Sequence, residues 1–82
     1  MSFYMNPIKA LEVYRDLKRY EAKIREFPDD IQLYTHFLKF CQDNKRYKRA
    51  QKFINQNKEK IASFHNAELS DLVTNIEIQN LK

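Results

Sequence analysis

The chain has 82 residues, 43% hydrophobic and 32% charged, with six Phe, five Tyr and a formal net charge of +4. That length fits one small domain of marginal stability, and the aromatic content excludes a disordered chain. Glycine is absent, which excludes phosphate-cradling loops, dinucleotide-binding turns and nucleophile elbows, all of which need glycine backbone geometry.

The first helix is expected over residues 7–26. Asn6-Pro7 places a cap before a proline at the first helical position, where its missing N–H costs nothing. Ala10, Val13, Leu17, Tyr20, Ile24 and Phe27 then recur at alternating spacings of three and four, a heptad-type apolar stripe. Pro28 ends it by pushing the preceding residue out of the helical region.

A second helix is expected over 30–43, capped by Asp29 or Asp30, with Gln32 completing a capping box if Asp29 is the cap. Leu33, Tyr34, Phe37, Leu38, Phe40 and Cys41 make its apolar surface broad enough for burial on two sides, as in the central helix of a bundle. Asp43-Asn44 reads as the stop, with Asn44 taking the left-handed conformation that glycine would normally supply.

The third helix is expected over 46–60, its stripe of Tyr47, Ala50, Phe53, Ile54 and Ile61 interrupted by polar Asn57. The fourth, over 67–81, carries Leu69, Leu72, Val73, Ile76 and Leu81 behind a cap at Asn66. Links of a few residues force consecutive helices to pack antiparallel. The expected fold is one all-α domain of four antiparallel helices spanning 1–82.

Charge is distributed unevenly. Residues 1–30 balance, whereas residues 31–66 carry eight basic side chains against Asp43 and Glu59 alone. The densest stretch supplies Lys45, Arg46, Lys48, Arg49 and Lys52, and on a helix beginning near Lys45 these residues share or flank one outer face. Such a face suits phosphate contacts, and the ordinary solvated surface of a helix explains it equally.

Catalytic chemistry finds no constellation here. His36 and His65 lie on different segments, and His36, beside Phe37, reads as a packing or interhelical hydrogen-bonding residue. Cys41 reads as a buried, inert small hydrophobe, and Asp29 and Asp30 suit capping better than a separated acid–base pair. One cysteine and two histidines are too few for a metal cluster, so neither metal nor cofactor is expected. A lone cysteine makes no internal disulfide, which points to a reducing, cytoplasmic setting. No apolar run approaches the roughly 20 residues of a membrane helix, and the opening residues do not read as a signal peptide.

Residues 27–60 contain a run, FPDDIQLYTHFLKFCQDNKRYKRAQKFI, that resembles the helical hairpin of tetratricopeptide repeats and the related half-a-TPR repeat. Tyr34, Phe37, Ala50 and Ile54 fall at the family's spacings, with Tyr47 three residues before the small alanine and Pro28 six before the aromatic. Leu38 replaces the family's small residue, and Lys45 its turn glycine. The resemblance implies a hairpin core flanked by a long N-terminal helix and a C-terminal capping helix. One repeat cannot bury both its faces, so the flanking helices or another chain must cover it.

Together these features predict a non-enzymatic adaptor or regulatory protein that packs helices against another protein or a second copy. The apolar faces expected to meet that partner are Val13, Leu17, Tyr20 and Ile24 on the first helix, and Leu72, Ile76 and Leu81 on the last. The alternative is a small basic protein that binds RNA or DNA through the Lys45–Lys60 face.

Overall fold

Apolar stripes at helical spacing become five helices, and the described residues contain no strand. The structure is a computed structural model that describes residues 7–82. The cap expected at Asn6 lies outside the described residues.

Helix α1 (Pro7–Glu26) buries Val13, Leu17 and Ile24 along its stripe and is capped by the Phe27–Asp30 turn. The Tyr34 hydroxyl donates to the Pro28 carbonyl at 2.8 Å and ties that turn to the next helix. Helix α2 (Ile31–Asp43) begins at residue 31 because Asp30 is its cap, accepting from the Gln32 backbone N–H at 3.1 Å. Asp29 faces outward and pairs with Lys60.

The expectation at Asn44 is corrected. Asn44 has φ −103°, and Lys45 takes the left-handed conformation at φ 56°. Asn44 stays near the helix because its side-chain amide donates to the Phe40 carbonyl at 2.8 Å, leaving the reversal to the next residue.

The single helix expected over 46–60 is also corrected. It is two helices, α3 (Tyr47–Gln56) and α4 (Lys58–Ser63). Asn57 separates them at φ −123° and ψ 24°, with its side-chain amide donating to the Phe53 carbonyl at 2.9 Å. The Asn57 N–H still reaches the Phe53 carbonyl at 3.0 Å and also the Ile54 carbonyl at 3.2 Å, the tightened last turn with which a helix ends. Helix α5 (Ala67–Leu81) opens behind Asn66, whose side-chain oxygen accepts from the Leu69 N–H at 2.9 Å.

Helix α2 packs against α1, α3 and α5, while α5 lies across both α2 and α3. Two flanks of the α2–α3 hairpin are therefore covered by this chain's own helices. The core is aromatic: Phe37 meets Phe53 with ring centroids 4.6 Å apart, Tyr20 at 6.1 Å closes one side, and Tyr34 meets Phe53 and Phe64 at 5.7 and 5.0 Å. Such pairs add about 0.5–1.5 kcal/mol each beyond their burial. The body measures 44 × 30 × 18 Å, and its short axis is about two helix diameters.

Candidate functional site

The apolar stripes singled out for a partner are largely used inside the chain. Val13, Leu17, Ile24, Leu72 and Ile76 are buried in the core, and Tyr20 is half-buried against Phe37 and Phe40. They do not form an outward face, because α1 and α5 close over the hairpin and use them to do so. Leu81 alone of that set is exposed, at 86%. Among the described residues the other exposed large apolar side chains are Ile8, Leu11, Tyr14, Phe27 and Ile78.

Two of the open concavities among the described residues bear on binding. The first is a groove of about 510 Å³ between α4 and α5, reaching down to Ile54 of α3. Ile61, Ala62, Ala67 and Val73 line it, and Lys58 and Glu77 stand on opposite helices. His65, which joins those helices, has φ 51°. In a chain without glycine a left-handed position must be filled by another residue, at a cost of roughly 1–2 kcal/mol.

The second surface is an open cleft of about 440 Å³ where the start of α3 meets the end of α5. The Asn80 side-chain amide donates to the Tyr47 carbonyl at 3.0 Å and holds the two ends together. Lys45, Arg46, Lys48, Arg49 and Lys82 line the cleft, and no carboxylate side chain does. The first turn of α3 contains no acidic residue and Arg46 makes no side-chain cap hydrogen bond; the carboxylate that reaches this turn is Glu21 of α1, through Arg49.

The basic residues named from the sequence separate here. Lys45 and Lys48 are exposed on the cleft, and Arg46 is half-buried with its guanidinium donating to the Asn44 carbonyl at 3.3 Å. Lys52 is exposed outside the cleft lining. Arg49 turns inward, a correction to its outer-face assignment: its guanidinium meets Glu21 of α1 at 2.7 Å. That interaction holds the Arg49 pKa above its ordinary value, chiefly through the hydrogen bond.

Arg49 also stands 5.7 Å from the ring centroid of Tyr14, a residue half exposed to solvent, and the Lys18 ammonium lies 5.8 Å from the same centroid. Sequence reasoning missed Tyr14 because it falls outside the α1 stripe. Its spacing from Lys18 and Glu21, four and then three residues, was the available signal. Lys82 and Asn80 gave no such signal, being more than 30 residues from the cations they join.

His36 is exposed rather than packed, because it lies on the side of α2 away from Tyr34, Phe37, Leu38 and Cys41. Cys41 is fully buried, and burial pushes its thiol up to about 12. Among the described residues no group of His, Cys, Asp or Glu could hold a metal ion, and no helix is long and apolar enough to cross a membrane. No family model, curated protein or solved structure matches the chain.

Proposed function

We propose that this chain is a non-enzymatic protein-interaction module, an adaptor that receives an amphipathic helix of another protein. The observation that carries this reading is the open groove between α4 and α5, lined by Ile61, Ala62 and Val73. A cleft between two helices offers the ridges and furrows into which a third helix packs, and apolar grooves of this kind take up helices through anchors at i, i+3, i+4 and i+7. Lys58 on one helix and Glu77 on the other give the incoming helix a charged partner on each flank.

The likeness to a tetratricopeptide-type hairpin supports the same reading. Tyr34, Phe37, Ala50 and Ile54, the residues that carry it, are all buried. In stacked helical repeats each unit packs against its neighbours, and an uncovered edge awaits the next helix.

Site-specific photo-crosslinking tests the proposal. A benzophenone amino acid at Ser70, in the groove, should give a discrete product with a protein of the native host, and one at Arg25 on α1 should not. Ala62→Glu places a carboxylate on the exposed groove wall and should abolish the product with circular dichroism unchanged. The cross-linked segment, resynthesised as a peptide, should gain helicity on binding. Products that are the same from both positions, or indifferent to Ala62→Glu, contradict the proposal.

A further inference from the structure

We infer that the cleft between the start of α3 and the end of α5, together with the exposed ring of Tyr14, binds single-stranded nucleic acid. The inference is independent of the apolar groove. Lys45, Lys48 and Lys82, with Arg46 beside them, bring their charges to one concavity whose lining holds no carboxylate side chain. Glu21 offsets Arg49, so the lysines are the groups that meet phosphate. Sequence-independent binding to a strand needs two things side by side: a basic groove for the backbone and an accessible aromatic face for a base.

Arg49 joins the two. It lines the cleft and stands 5.7 Å from the centroid of the Tyr14 ring. A strand with a phosphate in the cleft passes Arg49 to reach Tyr14, where a base displaces the exposed Lys18 side chain from over the ring and stacks in its place. Lys18, 5.8 Å from the same centroid, meets the backbone beyond that base. An isolated phosphorylated headgroup would use the cleft alone, and an acidic peptide brings a planar group to Tyr14 only where it carries an aromatic residue, whereas every nucleotide of a strand brings one. The pairing of cleft and ring therefore favours a strand over either.

The test is a fluorescence-anisotropy titration with a labelled oligothymidylate of about twelve nucleotides, within the span such sites cover. Binding is expected in the micromolar range at low salt. Tyr14→Ala should weaken it by about tenfold, and Tyr14→Phe, which keeps the π-face, should restore most of that loss. Lys45→Ala, Lys48→Ala and Lys82→Ala combined should lower the log–log salt slope by about 0.7 for each phosphate that is no longer neutralised. Arg25→Ala with Lys39→Ala, elsewhere on the surface, should leave affinity within about twofold.

No micromolar binding at low salt overturns the inference. So does an equal loss from the Arg25/Lys39 pair, which would mean diffuse charge attraction. Binding to phosphoinositide-containing vesicles through the same lysines, with none to the oligonucleotide, also overturns it by assigning the cleft to a headgroup.

Discussion

Single residues show most clearly what a chain without glycine must do. Lys45 turns the α2–α3 link at φ 56°, a conformation that costs a side chain with a Cβ roughly 1–2 kcal/mol and glycine nothing. Glycine returns part of that gain as chain entropy, so Lys45→Gly should stabilise the fold by about 0.5–1 kcal/mol in urea denaturation. A loss of stability would mean that the Lys45 side chain makes interactions outweighing its backbone conformation. The family likeness marked this position as one where glycine usually stands, yet residue type alone favoured Asn44. The choice rested on where the asparagine amide would bond, and that depends on the Phe40 carbonyl one turn back.

Cys41 yields a prediction with a defined direction in pH. Its thiol is raised from 9.0 to about 12 in the folded chain by burial. The folded state thus keeps a proton that the unfolded state gives up, and the stability this provides is present below pH 9 and lost as pH rises toward 12. Cys41→Ala should be less stable than the parent at neutral pH, and the gap should narrow between pH 9 and 12. A gap that stays constant would contradict the burial. Iodoacetamide at pH 8 should alkylate Cys41 only in denaturant.

At the scale of the helix, apolar periodicity locates α1 and α5 well, because one residue decides each boundary: Pro28 after α1 and Asn66 before α5. The third helix was less legible. Ile61 continues the stripe of Tyr47, Ala50 and Ile54, so periodicity carries straight through Asn57, while the backbone leaves helical geometry there at φ −123° and ψ 24°. That break separates α4 from α3 and gives the α5 groove its second wall, so the sequence did not disclose the groove. The basic cleft was half legible: Lys45, Arg46 and Lys48 adjoin in sequence, whereas Lys82 arrives only through the packing of α5 on α3.

Ala50 tests how tightly the hairpin is packed. It is fully buried on α3, which lies against both α2 and α5. Ala50→Leu adds volume where none is free and should destabilise by about 1–3 kcal/mol, read as a lower denaturation midpoint at unchanged slope. An unchanged midpoint would show that the interface can part without cost. Phe37→Ala removes the ring at the centre of the aromatic cluster and should cost about 3–5 kcal/mol, enough to unfold a domain of this size.

For the molecule as a whole, the stripes of α1 and α5 can serve either the chain's own core or a partner, and they cannot serve both. Val13, Leu17, Ile24, Leu72 and Ile76 are enclosed within the chain, so these side chains serve its own core. Heptad spacing in the sequence is compatible with both uses, since a stripe that packs on another chain and one that packs on its own are built from the same residues. Deciding between them takes the number of helices available to cover each face, and that follows only from the three-dimensional path.

Sedimentation equilibrium of the 82-residue chain at micromolar concentration tests this most directly. A single folded species at the monomer mass of 10.0 kDa is expected, with its groove left open for a different protein. A dimer, dissociated by Ala62→Glu, would contradict it by showing that a second copy fills the groove.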